Sequence, residues 1–190
     1  MRNVSDNPPA RFPERPIGEA AFPWHVAHVK PRQEKAVADD CLRLSVEYYL
    51  PLFIRTTRRK DNNKPRKSVL PLFPGYISFA GTRDTSRRLY ATGRVARVIE
   101  IRHQRKFIEE LGQIYSLLEN GAPLEPCGVS YRSGDEVVVR NGPFRGIRGV
   151  IMSVRNRDRL LLSVNGLGLA MTTVDASAVA PVDEKELSPS

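Results

Sequence analysis

His25, His28 and His103, the two cysteines Cys41 and Cys127, and the pair Asp39-Asp40 are the residues in this 190-residue chain whose types suit catalysis or metal binding. His25 and His28 are three apart in an alternating stretch. On a strand they point to opposite faces and cannot grip one metal ion, and His103 stands alone. The cysteines have no CxxC partner and no neighbouring histidine, which reads as two unpaired thiols in a reducing compartment. Asp39-Asp40 fall in a helical stretch and read as a solvated pair. Gly142, Gly146 and Gly149 have the look of a phosphate loop, but no Gly-Lys-Ser/Thr follows them. With no Ser-His-Asp, Cys-His or paired-carboxylate spacing, the expectation is a protein that is not an enzyme, with no cofactor and no metal.

Charge points elsewhere. The formal net charge is +9 and the pI about 9.9. Residues 24–118 carry 19 Lys or Arg against 9 Asp or Glu, an excess of +10. Such a surface draws polyanions, nucleic acid foremost, although a solvated basic surface also serves solubility. Lys30, Arg32 and Gln33 form one polar group at a strand-to-helix corner. Arg55, Arg58, Arg59, Lys60, Lys64, Arg66 and Lys67 form another in a basic loop. Tyr49, Phe53, Phe73 and Tyr76 cluster around a proline-broken strand, either as core or as an exposed apolar groove for a partner helix. Trp24 reads as core.

The elements that would position these groups follow from periodicity. Residues 1–22 hold Pro8, Pro9, Pro13 and Pro16 among charges without apolar period and are expected to be a disordered arm. Trp24–Val29 alternates as a strand, and Glu34–Leu44 places Val37, Cys41 and Leu44 on one helical face. Tyr48–Ile54 reads as an edge strand because of Pro51. Ser68–Leu72, Tyr76–Phe79 and Val95–Ile101 read as strands; Arg83–Ala91 and Gln104–Leu118 read as helices. This order is the split-βαβ, ferredoxin-like sequence of elements. Residues 120–131 read as a linker. Short strands follow at Glu136–Arg140, Ile147–Val154, Arg159–Val164 and Leu169–Thr173, with Val179 near the end. The turn dipeptides Asn141-Gly142 and Asn165-Gly166 separate them, suggesting a small SH3-like barrel. The expected division is an arm 1–22, a first domain 23–119, the linker 120–131, a barrel 132–183 and a tail 184–190. No apolar stretch reaches the ~18–20 residues needed to span a membrane, and no apolar leader follows Met1. The expectation is a cytoplasmic monomer with no membrane contact.

Two stretches carry a family resemblance. Leu70-Pro71-Leu72-Phe73-Pro74-Gly75-Tyr76-Ile77, taken with Trp24-His25-Val26 and Lys30-Pro31-Arg32-Gln33-Glu34, resembles the N-terminal (NGN) domain of the NusG family. Gly134-Asp135-Glu136-Val137-Val138-Val139-Arg140-Asn141-Gly142-Pro143-Phe144, ending at Gly149-Val150, is similar to the KOW motif that opens that family's C-terminal barrel. The resemblance implies an α+β protein: a ferredoxin-like α/β sandwich followed by a small SH3-like β-barrel. It implies a transcription elongation or antitermination factor that suppresses pausing by binding the β′ clamp helices of RNA polymerase. Tyr49, Phe53, Phe73, Pro74, Gly75 and Tyr76 would make that contact. Lys30, Arg32 and Gln33 match the corner that touches the non-template DNA strand in RfaH-type paralogues. Phe144, Leu167 and Gly168 would offer the barrel to Rho or a ribosomal protein.

Departures from the family pattern lean toward a specialised, RfaH-like paralogue. Leu72 stands where general members carry an aromatic, and Leu167 replaces the aromatic of the barrel's partner loop. Leu70 stands where the RfaH type carries an acidic residue that locks the barrel onto the first domain, so that lock is absent. Val137-Val138-Val139 disfavours helix, so a barrel without fold switching is expected. A general factor coupling polymerase to Rho or the ribosome, and a ribosome- or RNA-binding KOW protein, remain as alternatives.

Overall fold

The computed structural model describes residues 7–59, 63–126, 136–142, 144–154, 157–164, 166–173 and 178–182. Cys127, Lys60, Gly134, Asp135, Pro143, Asn165 and the tail 184–190 lie outside the described residues. The chain is a mixed α/β protein with three α-helices and three sheets among those residues.

The first sheet contains β1 (Arg11–Phe12), β2 (Trp24–Val29), β3 (Glu47–Tyr49), β6 (Tyr76–Ala80) and β7 (Val95–Glu100), in the order β1-β3-β6-β2-β7 with every pairing antiparallel. Alternation in these strands puts apolar residues on both faces. Ala27, Val29, Tyr48, Ile77 and Phe79 pack with Val37, Ala38 and Cys41 of α1 (Glu34–Arg43) and Leu89 of α2 (Arg83–Ala91). Trp24, Val26 and Tyr49 face the other way, toward Phe107, Leu111, Ile114 and Leu117 of α3 (Gln104–Glu119). A sheet buried on both faces needs this double alternation. The helices stop and start where local chemistry dictates: α2 opens with a capping box, in which the Thr82 and Thr85 side chains each bond the other's backbone N–H.

The second sheet runs β13 (Val179–Pro181), β9 (Glu136–Val139), β10 (Arg148–Val154), β11 (Arg157–Val164), β12 (Gly168–Thr173), β8 (Glu125–Pro126). The valine run of β9 is strand, as its β-branching requires. Two residues inside the expected linker, Glu125 and Pro126, pair with Met171 and Ala170 as an edge strand, a place where proline is tolerated. The two sheets do not stand apart. Val137, Val139, Leu160, Leu162, Val164 and Leu167 belong to the same apolar cluster as Trp24, Val26, Phe73 and α3. The Arg148 backbone N–H donates to Gln113 Oε1 of α3 at 3.0 Å.

Three expectations are corrected. Residues 7–22 are not a disordered arm. β1 pairs with β3, Arg11 lies 4.2 Å over the Tyr115 ring, and Arg15 pairs with Glu47 at 2.5 Å. Tyr48 Oη donates to the Pro9 carbonyl at 2.8 Å, and Trp24 Nε1 donates to the Ile17 carbonyl at 3.2 Å. The segment is held by separate point contacts, which leave no periodicity to read. Asp40 is not solvated: it is 4% exposed, bound by Arg43 and, at 2.9 Å, by Arg94. Third, the basic loop is largely a two-stranded ribbon. β4 (Leu52–Arg58) and β5 (Pro65–Pro71) pair with each other through seven residues per strand and with no other strand. Pro51 ends β3 and separates it from β4, so Tyr48–Ile54 is two strands.

No helix among the described residues is long and apolar enough to cross a membrane. The anchoring of the N-terminal segment has a stability consequence. Ile17 is 7% exposed within the main cluster, so Ile17→Ala is expected to cost about 2–3 kcal/mol, within the range for buried Ile truncation. A urea melt reads this; a change under about 0.5 kcal/mol would mean that the segment is not packed.

Candidate functional site

The aromatic and basic candidates meet around one turn. Phe73-Pro74-Gly75-Tyr76 is a β-turn closed by the Tyr76 N–H donating to the Phe73 carbonyl at 3.2 Å. Proline occupies its second position, and Gly75 its third with φ +85, the arrangement of a type II turn. Two hydrogen bonds fasten the turn to the strand-to-helix corner. The Gly75 N–H donates to Glu34 Oε1 at 2.7 Å, and the Val29 N–H donates to the Gly75 carbonyl at 2.8 Å. Glu34 is buried at 7% exposure, and its charge lies at the N-terminus of α1, where the helix dipole favours it. His28 stacks on Tyr76 with ring centroids 5.0 Å apart.

The corner itself leaves Lys30 and Arg32 exposed and Gln33 half-buried. Arg32 has φ 63, which holds it in the left-handed region and makes the corner tight. The aromatic turn and the basic corner therefore form one continuous feature, joined through Glu34.

The aromatic cluster reads from the sequence as core or as an exposed groove, and in the structure its face is covered. Phe73 is 3% exposed. The covering segment is the turn between β11 and β12, where the Leu167 N–H donates to the Val164 carbonyl at 3.1 Å. Leu167 is 5% exposed. A Cβ on Gly168 would lie 3.7 Å from Phe73 Cδ1; one on Gly166 would lie 3.2 Å from Ile101 Cδ1 and 3.5 Å from Val26 Cγ2. The seal is partial. An open cleft of about 410 Å³ remains beside Tyr76, lined by Ser163, Val164 and residues 166–169 of that turn.

The other candidates divide accordingly. Phe53 and Tyr76 are half-buried against the shared cluster, and Pro74 is exposed. Tyr49 lies beneath this face at 1% exposure, edge-on to Tyr115 at 6.1 Å, and burial pushes its phenol pKa up. Phe144 packs half-buried on the same cluster, and Gly168 is exposed. Sequence reasoning missed Val26, Ile101 and Ser163 as neighbours of the site. They signal nothing in the sequence because only the meeting of the two sheets brings them there.

The remaining chemistry-bearing residues are elsewhere. Cys41 is buried on the inner face of α1, and desolvation pushes its thiol up to about 12, which keeps it protonated and unreactive near neutral pH. Among the described residues no three His, Cys, Asp or Glu gather as a metal site would require.

The turn supplies a clean test of backbone geometry. A Cβ at Gly75 would find room, 3.8 Å from the His28 ring, so the cost of Gly75→Ala is conformational and expected at about 1–2 kcal/mol. Gly75→Asn should cost less, since asparagine tolerates the left-handed region. Equal losses in denaturant melts of the two variants would contradict that account.

The family profile described as "Transcription termination factor nusG" matches residues 22–121. The chain is 23% identical to the "Transcription termination/antitermination protein NusG" of Rickettsia felis over 176 residues, covering 77% of this chain and 83% of that one. The same figures hold for the protein so described from Rickettsia prowazekii. A solved structure described as "Domain interaction in Thermotoga maritima NusG" aligns with a TM-score of 0.48 at 18% identity, over 85% of this chain and 97% of that one. Another, of the MjSpt4:Spt5 complex, aligns with a TM-score of 0.27 at 17% identity, over 84% and 96%. With the family profile spanning more than half of its length, the chain belongs to the NusG family of transcription factors.

Proposed function

We propose that this protein is a transcription elongation and antitermination factor that binds the clamp helices of RNA polymerase. The first sheet with its helices is read as the ferredoxin-like NGN domain, and the second sheet as the SH3-like KOW domain. Phe53, Phe73, Pro74, Gly75 and Tyr76 form the polymerase-binding face, with Tyr49 supporting it from below. Lys30, Arg32 and Gln33, tied to the same turn, meet the non-template strand. Bridging the clamp across the nucleic-acid channel holds the enzyme in its elongating form and so suppresses pausing.

The observation that carries this reading is the cleft beside Tyr76: an aromatic sheet face closed only by a short turn that carries two glycines. A partner helix with apolar anchors suits such a face. Leu167 and Gly168 occupy it here, and they are also the residues read as the second domain's own partner surface, for Rho or a ribosomal protein. One contact thus engages both surfaces, burying Phe73 and Leu167, and parting the sheets exposes both. The acidic lock of the RfaH type is not needed for this, because Leu167 and Phe73 close the contact by apolar burial. Leu167 in place of a larger aromatic weakens engagement of Rho and tilts the protein toward antitermination.

The test is a pull-down of core RNA polymerase. Burial of a leucine side chain is worth roughly 1.5–3 kcal/mol. Leu167→Asp should therefore open the contact and tighten apparent polymerase binding by about 10-fold or more, because the binding-competent fraction rises. Phe73→Ala/Tyr76→Ala, confirmed as folded by circular dichroism, should lose binding. If neither the wild type nor Leu167→Asp binds polymerase, the reading fails and an RNA-binding KOW protein takes its place.

A further inference from the structure

Only the base of the β4–β5 ribbon, with Leu52 and Phe53, packs against the core and joins the aromatic site. Beyond its base, every side chain of β4 from Ile54 to Arg58 is exposed, as are Arg59 and residues 63–67. Six of these exposed residues are cationic: Arg55, Arg58, Arg59, Lys64, Arg66 and Lys67. Asp61 is the one acidic residue in the chain between Leu50 and Leu72.

The register sorts the charges. Arg55 lies opposite Ser68 and Thr57 opposite Arg66, so one face carries Arg55, Thr57, Arg66 and Ser68. Thr56 lies opposite Lys67 and Arg58 opposite Pro65, so the other face carries Thr56, Arg58, Pro65 and Lys67, with the exposed Ile54 nearer the base. Each face thus presents two cations, with hydroxyls between them. A ribbon that packs on a body by one face would concentrate charge on the other. Charge on both faces fits an object that enters between two anionic walls.

We propose that this ribbon is a duplex-DNA-binding finger that enters the major groove, with each face turned toward one phosphate wall. The dimensions agree. The major groove of B-DNA is about 12 Å wide and admits a two-stranded β-ribbon. The minor groove, at about 6 Å, is too narrow, and the major groove of A-form RNA is too deep and narrow for side chains to read. Seven residues per strand reach roughly 23 Å at about 3.3 Å per residue, enough to lie along the groove. The base is anchored: Lys35 Nζ of α1 donates to the Val69 carbonyl at 2.6 Å, and the Leu72 N–H donates to the Pro51 carbonyl at 2.8 Å. The finger is directed by the body of the protein, and hydroxyls and arginines without a fixed base-reading pattern make the binding indifferent to sequence.

The experiment uses the full chain and no polymerase, so its failure leaves the polymerase reading standing. Fluorescence anisotropy measures binding to a labelled 30-bp DNA duplex at several salt concentrations. Arg55→Gln/Arg66→Gln and Arg58→Gln/Lys67→Gln remove one face each; Arg83→Gln/Arg87→Gln on α2 removes the same charge elsewhere. Each ribbon variant should lower affinity about 10-fold and reduce the salt slope by roughly 1.8, at about 0.9 per phosphate contact, while the α2 variant changes affinity less than about 2-fold. Ribbon variants that lose no more than the α2 variant would overturn the proposal. So would equal or tighter binding to an RNA duplex or to single-stranded DNA of the same sequence.

Discussion

The structure depends on covering two apolar faces of one five-stranded sheet. Strict alternation in β2 and β6 sends Trp24 and Val26 one way and Ala27, Val29, Ile77 and Phe79 the other. Neither set can be left in water, because several large side chains at about 25 cal/mol per Å² outweigh any single polar contact in the chain. α1 and α2 cover one face completely. On the other, α3 leaves the end near Phe73 uncovered, and the Leu167 turn of the second sheet closes it. The position of the second sheet is a consequence of where the first runs out of helix.

Polar groups inside the fold follow the same economy. The two buried carboxylates among the described residues, Asp40 and Glu34, are both satisfied. Asp40 takes two guanidinium groups, from Arg43 and Arg94, and so ties α1 to the segment before β7. Glu34 takes a backbone N–H and so ties α1 to the Phe73–Tyr76 turn. A buried charge left without partners would cost several kcal/mol. Exposed basic residues gather on the corner, at Lys30 and Arg32, and on the ribbon, at Arg55, Arg58, Arg59, Lys64, Arg66 and Lys67. Charge at those places is available to a polyanion without disturbing the core.

What the sequence revealed, and what it concealed, has a physical pattern. β2, α1 and α3 were legible because each repeats apolar residues at its own period, and β9 because its valine run is β-branched throughout. The N-terminal segment was not, since its order rests on single contacts such as Arg11 over Tyr115 and Ile17 beneath Trp24. The outer part of the ribbon was hidden for a related reason: solvent on both faces removes the alternation that marks a strand. At the site, the motif at Phe73–Tyr76 and the corner at Lys30–Gln33 were legible as candidates, and the Glu34–Gly75 bond joins them. The covering of Phe73 by Gly168 was beyond reach, because a contact between two sheets leaves no local spacing to read.

The covering turn is built to be weak where α3 is strong. α3 buries four large side chains against the sheet, whereas the turn contributes one, Leu167, between two glycines that add no side-chain area. The cleft beside Tyr76 leaves part of the face wet even when covered. A cover of this kind excludes water from Phe73 while a partner offering a full helix face would bury more and displace it. The ribbon and the basic corner stay exposed with the turn in place. Electrostatic attraction is long-ranged and acts at those exposed charges, whereas any apolar exchange at Phe73 needs a competing surface within contact distance.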